Sequence, residues 1–225
     1  MKIEKIKQTI QQAVTEDEYL TLKTSQITEV VEVMIQYSLE TVLSKHNRED
    51  LLDILYTIVK ELLVNACKAN HKRIYFEEMN LNINDEEDYR KGISEYRKIL
   101  NESMAREYGR KSKIMDYHVI LDFSFDESGL TIEVTNNSPI VAFEETLLRK
   151  KLKQAMQCNN IGEYYMTCRD EDVEGAGLGL ALILILLKGV NIDPQLFRIF
   201  LQEDKTIARL EIPYTKRFEG KRDVA

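Results

Sequence analysis

The spacing of apolar residues along the chain changes between the helical and the strand period, and these changes predict the order of its elements. An apolar residue recurs every three or four positions over 3–14, which predicts a first helix. Residues 19–24 are rich in β-prone side chains and predict a short strand. Ser25 then stands where a hydroxyl can cap a second helix, whose apolar positions run over 27–42.

A turn at 46–48 separates that helix from a longer one, predicted over 49–70. Residues 73–77 predict a strand, because β-prone side chains follow one another there. The stretch 84–113 carries many charges and only a weak helical spacing of apolar residues. It predicts one or two exposed helices, and a solvated or partly disordered insertion is the alternative.

The second half of the chain predicts two β-hairpins with helices between them. Alternating apolar residues on either side of Ser128 and Gly129 mark the first hairpin, and Glu203 and Asp204 mark the turn of the second. The predicted elements are a hairpin over 118–135, a loop over 136–140, a helix over 143–157, a loop or lid over 159–174, a helix over 175–187 closed by a left-handed Gly189, and a hairpin over 196–213.

This order predicts an α+β two-layer sandwich, with helices on one face of a mixed, mostly antiparallel sheet. The predicted organisation begins with an N-terminal helix over 1–18. One domain follows over 19–215, with a charged, helical insertion at about 79–117. A basic tail over 216–225 is expected to be frayed.

Composition and charge narrow the classes of partner. The 225 residues are 44% hydrophobic and 31% charged, with a net charge of −7. Nucleic acids and anionic membranes require a clustered basic surface, so we expect neither as a partner. The longest apolar run, 178–187, is shorter than the ~18 residues that span a bilayer, and no apolar run follows the first Met. Three scattered cysteines fit a reducing compartment, which predicts a cytoplasmic protein.

The long helix carries a row of polar residues beside its apolar face. Glu61, Asn65 and Lys68 are spaced i, i+4, i+7 and therefore share one side. An amide oxygen is a suitable ligand for Mg²⁺, and a neighbouring carboxylate can position or deprotonate a water or a hydroxyl. A solvated helix side is the alternative.

Three glycines precede the apolar helix near the carboxyl end, in the run Gly175-Ala176-Gly177-Leu178-Gly179-Leu180. Glycines allow a close approach of the backbone, and the free N–H groups at a helix start attract phosphate. The run follows no strand and no Gly-Lys-Ser/Thr accompanies it, so it is neither a Rossmann turn nor a P-loop. A flexible loop that closes on a buried helix is the alternative.

Together the two segments resemble motifs of the GHKL, or Bergerat-fold, ATPase superfamily, which includes histidine kinases, Hsp90 and gyrase. Residues 61–69 (Glu-Leu-Leu-Val-Asn-Ala-Cys-Lys-Ala) resemble its N box, and 175–180 resemble its G2 box, Gly-x-Gly-Leu-Gly-Leu. The resemblance covers 19–214. Within the superfamily, the chain is similar above all to the ATPase domains of histidine kinases and anti-sigma-factor serine kinases.

The resemblance implies a nucleotide site for ATP or ADP with Mg²⁺. Asn65 would coordinate the Mg²⁺, Glu61 would stand where hydrolysing members hold a general base, and Lys68 would lie near the phosphates. Residues 159–174 would form the ATP lid. The backbone amides around the triphosphate would come from Gly175, Gly177, Leu178 and Gly179.

One motif departs from the family. The G1 box, Asp-x-Gly-x-Gly, is replaced by 136–140 (Asn-Asn-Ser-Pro-Ile). Asn136 and Asn137 are then the candidate contacts to the base. The Asn136 amide can accept from adenine's amino group and donate to its N1, but it can equally pair with guanine. A simple turn after a strand is the alternative.

These features lead to two predicted functions. One is an ATP-binding signalling protein that phosphorylates a protein hydroxyl or holds a regulatory protein partner, with a homodimer as an open alternative. The other is a pseudo-ATPase scaffold without turnover. A helical protein outside the superfamily is a third reading, which requires both motifs to be coincidences. Cys67 and His71 have the spacing of a metal-ligand pair, but no second pair accompanies them.

Overall fold

The computed structural model describes residues 2–16, 19–167 and 178–221. Within these ranges the chain forms eight α-helices and five strands. The helices are α1 Lys2–Glu16, α2 Glu29–Lys45, α3 Leu52–Glu78, α4 Glu86–Ile99, α5 Glu102–Ile114, α6 Ala142–Gln157, α7 Ile161–Thr167 and α8 Leu178–Gly189. The strands are β1 Tyr19–Thr24, β2 Val119–Phe125, β3 Gly129–Asn136, β4 Phe197–Gln202 and β5 Lys205–Pro213.

The strands form one sheet in the order β1-β2-β3-β5-β4, and each described pairing is antiparallel. The predicted α+β two-layer sandwich is confirmed. Leu121 and Phe123 of β2 are buried opposite Val134 and Ile132 of β3. These side chains join one apolar core with α1, α2, α3, α6 and α8, because alternate residues of a strand point to the same face.

The other face of the sheet carries charges in place of helices. Glu133 forms an ion pair with Arg209, and the Arg198 guanidinium lies 3.0 Å from the fully buried carboxylate of Glu211. The backbone N–H of Lys221 also donates to Glu211, at 2.8 Å. Paired charges let this face stay polar although parts of it are buried.

The long helix α3 runs to Glu78, so the predicted strand at 73–77 is wrong. Ile74, Tyr75 and Phe76 are buried in a second apolar cluster, which α3 shares with α4 and α5. Tertiary packing of these side chains outweighs their preference for strands.

The charged insertion, predicted as one or two exposed helices, forms two helices, and their buried side chains pack on the carboxyl half of α3. Asp85 and Asn101 cap α4 and α5 by accepting backbone N–H groups of the first turn. Gly92 of α4 allows close packing, because a Cβ there would overlap the ring of Phe76. We call α4 and α5 together the helical hairpin.

Three local predictions differ from the structure. The N-cap of α2 is Thr28 and not Ser25, and the Thr28 hydroxyl accepts from the N–H of Val31 at 3.3 Å. The left-handed residue after α8 is Asn191, with φ 57°, and not Gly189. The tail is attached over its described part, since the ring of Phe218 packs against the glycine that opens β3.

In the described ranges, no helix combines the length and the apolar character needed to cross a bilayer.

Candidate functional site

The polar row of α3 is present as predicted. The Asn65 side-chain amide donates to the Glu61 carboxylate at 3.0 Å, and both residues are half-buried. Lys68 lies one turn further and is exposed. The pair is held in one orientation by this bond, which leaves the amide oxygen of Asn65 available as an acceptor or a metal ligand.

The first turn of α8 lies directly against Glu61. A Cβ built at Gly179 would overlap the Glu61 carboxylate, so only a glycine permits this approach. Leu178, the first described residue of α8, is 38% exposed beside it. The two motifs singled out in the sequence therefore meet in space, although they come from distant parts of the chain.

Part of the predicted site lies outside the described residues. Gly175 and Gly177 belong to this part, as do 168–174 of the predicted lid. The described part of that lid was predicted as a loop, whereas it contains the short helix α7.

Asn136 ends β3 and is 4% exposed. Its amide nitrogen donates to the backbone oxygen of Ala66 at 3.1 Å, which places it next to Asn65. Since a carbonyl oxygen can only accept, the side-chain NH₂ must face Ala66 and Oδ1 must face away. This Oδ1 is buried and has no hydrogen-bond partner in the part of the chain that the structure describes. The structure thus presents a hydrogen-bond acceptor at this position.

Asn137 is engaged in the loop itself. Its Oδ1 accepts from the backbone N–H of His118 at 2.8 Å, and its Nδ2 donates to the backbone oxygen of Asp116 at 2.7 Å. A contact between Asn137 and a nucleotide remains a prediction, for which its second N–H and the second lone pair of Oδ1 are left.

The loop over 136–141 is fastened to α3 by residues that the sequence reasoning missed. The Ser138 hydroxyl donates to the Asn70 side chain at 3.0 Å, and the Arg73 guanidinium donates to the Pro139 carbonyl. The missed signal is the run of polar residues that continues the helical period beyond the predicted end of α3. The strand preference of the side chains at 73–77 obscures this helical period in the sequence.

A buried ionic cluster lies behind this loop. Glu144, in the first turn of α6, forms ion pairs with Lys72 and with Arg73, and it accepts a hydrogen bond from Tyr89 of α4 at 3.1 Å. All four residues are less than 9% exposed. Burying a charge is costly unless it is paired, so this network holds its members in a defined arrangement.

Cys67 and His71, the i, i+4 pair on α3, are both buried. Burial raises the pKa of the Cys67 thiol to about 12 and lowers the pKa of His71 to about 4. No group of three or more His, Cys, Asp or Glu side chains suited to a metal ion occurs in the described ranges. A cation at Asn65 would therefore need further ligands from a bound molecule, as Mg²⁺ does when it is held through phosphates.

Taken together, the site combines a carboxylate, an amide oxygen, the start of an apolar helix and a buried acceptor. The helix start suits phosphate, because its free N–H groups and its dipole favour negative charge. The buried acceptor suits a group that donates a hydrogen bond.

Comparison with known proteins gives one informative relative. An uncharacterized protein of Treponema pallidum (strain Nichols) is 28% identical over 183 residues, which is 81% of this chain. The match spans 35% of the relative's own length, so the chain corresponds to about a third of that protein. No protein-family model and no solved structure matches the chain.

Proposed function

We propose that this protein binds Mg-ATP between α3 and the start of α8 and acts as a cytoplasmic signalling protein of the histidine kinase-like ATPase type. The observation that carries the proposal is the contact of Gly179 with Glu61, the partner of Asn65, on the helix that also holds Asn136 through Ala66. Residues that resemble two parts of one nucleotide site, and the segment that replaces the third, therefore lie near one another.

The orientation of Asn136 supports adenine over guanine. Its Oδ1 can accept a hydrogen bond from the exocyclic amino group of adenine. At the same edge guanine presents an oxygen, which would face Oδ1 acceptor to acceptor. We expect ATP to bind at least about tenfold more tightly than GTP, because a buried pair of unmatched acceptors is costly.

The other site residues take roles that their chemistry allows. Asn65 offers its amide oxygen to Mg²⁺, and Lys68 offers a positive charge to the phosphates. In transfer, a protein hydroxyl bonds to the γ-phosphorus, the bond to the bridging oxygen breaks and ADP leaves. Glu61 takes the proton of the attacking hydroxyl, after it releases its bond to Asn65.

Titration of the purified protein with Mg-ATP and Mg-GTP, followed by calorimetry and by thermal unfolding, tests this proposal. ATP at about 100 times its Kd should add ~2.7 kcal/mol to the free energy of unfolding. Asn65→Ala should weaken ATP binding at least tenfold (~1.4 kcal/mol). Gln36→Ala, an exposed amide on α2, is the control and should bind as the wild type does. Absence of binding at millimolar ATP would contradict the proposal.

A second function, a partner-binding scaffold without turnover, is favoured by a different observation. α1 and α2 meet at an apolar surface that includes Ile3 and Val30, which are 43% and 39% exposed. An exposed apolar surface suits a regulatory protein or a second copy of this chain. Binding of ATP without release of phosphate, and without its transfer to a protein, would favour this function over a kinase.

A further inference from the structure

The Glu144 cluster connects the helical hairpin to the loop of the proposed nucleotide site. We propose that it is a positioning device, through which the contact of the hairpin's Tyr89 with Glu144 sets the affinity for the nucleotide. This inference rests on the proposed function, because it concerns the regulation of the same site. None of the cluster residues is proposed to touch the nucleotide.

The two oxygens of Glu144 face two different parts of the protein. Oε1 receives the hydroxyl of Tyr89 at 3.1 Å and pairs with Lys72, so it faces the hairpin. Oε2 lies 3.5 Å from the Arg73 guanidinium and accepts from the backbone N–H of Val141 at 3.4 Å, so it faces the loop. One rigid carboxylate therefore joins the hairpin and the loop.

From Arg73 the connection continues to the proposed base contact. Three residues of the loop are hydrogen-bonded to α3, each about one helical turn beyond the last. Asn136 is bonded to Ala66, Ser138 to Asn70, and Pro139 to Arg73. Since these bonds lie on one helix, a shift of Arg73 changes the support of the whole loop.

The charges in the cluster make the orientation of the Glu144 carboxylate depend on its hydrogen bond to Tyr89 of the hairpin. Two cations, Lys72 and Arg73, share the single carboxylate of Glu144 at a buried position. The Tyr89 hydroxyl, which hydrogen bonds to the same carboxylate, is also 3.3 Å from Lys72. Loss of the Tyr89 bond removes the neutral donor from Oε1 and leaves the carboxylate held by Lys72 on one oxygen and Arg73 on the other, so that it can turn.

Tyr89→Phe tests the proposal with little change in packing. It removes the hydroxyl and keeps the ring, which packs edge-on against Phe143 at 4.1 Å. Tyr108→Phe is the matched control. It removes a similar tyrosine–carboxylate bond between the hairpin and α3, to Glu78 at 2.7 Å, which has no contact with Glu144 among those described.

The affinity for Mg-ATP is measured by calorimetry for the wild type and both variants. We expect Tyr89→Phe to weaken binding about fivefold, within the usual range of coupling between sites. Tyr108→Phe should leave the Kd unchanged. Equal Kd values for Tyr89→Phe and the wild type would overturn the proposal, as would equal losses in both variants. Glu144→Gln, which removes the charge and keeps the shape, should weaken binding more than Tyr89→Phe does.

Hydrogen exchange of the ligand-free proteins separates this inference from the proposed function. The Val141 amide, which donates to Glu144, should exchange faster in Tyr89→Phe and at the wild-type rate in Tyr108→Phe. Unchanged exchange at Val141 overturns the coupling, whatever the nucleotide result. A wild type that binds no ATP contradicts the proposed function, and faster exchange in Tyr89→Phe alone would then still support a link between hairpin and loop.

Discussion

At the scale of single residues, the site depends on atoms that have only one suitable arrangement. Glu61 fits beside α8 because residue 179 has no side chain. Asn136 presents a buried acceptor, its Oδ1, because its NH₂ group donates to the backbone carbonyl of Ala66. Both features depend on two groups that pack closely, and a single substitution is expected to disrupt either one.

Gly179→Ala tests the first of these features. The added methyl group would overlap the Glu61 carboxylate, so Glu61 or the start of α8 must move. Because the overlapped atoms are the end of a flexible, half-buried side chain, we expect a loss of no more than about 1 kcal/mol in the free energy of unfolding. Binding of Mg-ATP should weaken at least tenfold (~1.4 kcal/mol).

Gly189→Ala, at the other end of the same helix, is the matched control. A Cβ there meets nothing within 4 Å, so the variant should fold and bind as the wild type does. Thermal unfolding measures the stability of both variants, and calorimetry measures their affinity for Mg-ATP. Wild-type binding by Gly179→Ala would contradict the close packing of Glu61 on α8.

At the scale of elements, α3 is the member that links the two parts of the molecule. Its amino half packs in the main core, and its carboxyl half packs against the helical hairpin in the second apolar cluster. His71 lies between α3 and α5, 6.1 Å from the ring of Tyr108. Neither ring nitrogen has a hydrogen-bond partner among the described residues, so a charge on His71 would be unsupported.

This predicts that the packing of the hairpin depends on pH. Burial lowers the pKa of His71 from 6.5 to about 4 in the folded protein, whereas the unfolded chain keeps the ordinary value. Between these two values the unfolded state binds a proton that the folded state does not. The free energy of unfolding should therefore fall as the pH drops from 6.5 toward 4, by about 3 kcal/mol from this group.

Urea unfolding across this pH range, for the wild type and for His71→Gln, measures the effect. The variant should lose the contribution of His71 and show a flatter dependence on pH. Identical pH dependence of the two proteins would show that His71 is not buried in its neutral form.

At the scale of the whole molecule, the second face of the sheet is closed by ion pairs and by the carboxyl-terminal segment. Glu211 is fully buried there, and its partners are Arg198 and the backbone of Lys221. This face has no helices among the described elements, so the charges must be satisfied by one another.

Arg198→Ala should destabilise the protein strongly, because it leaves the Glu211 carboxylate buried without its cation. The expected loss is about 3 kcal/mol in the free energy of unfolding. The control is Arg90→Ala, which breaks the exposed i, i+4 pair of Arg90 with Glu86. Exposed pairs contribute little, so this variant should unfold close to the wild-type midpoint. Similar midpoints for both variants in urea unfolding would contradict the buried pair.

Features that depend on local sterics and on hydrophobic periodicity can be predicted from the amino-acid sequence alone. The helical row of Glu61, Asn65 and Lys68, both hairpins and the two insertion helices were predictable, because each is encoded within one short segment. The prediction failed at 73–77, where burial against the hairpin outweighs the strand preference of Tyr75 and Phe76.

The contacts between residues that are distant in the chain depend on tertiary packing. The contact of Gly179 with Glu61, the orientation of Asn136 and the cluster around Glu144 join segments that are far apart in the chain. Such contacts have no period in the sequence, since they depend on how helices and sheet pack against each other. The same packing decides that a buried amide presents an acceptor, and that a charged insertion becomes part of the fold.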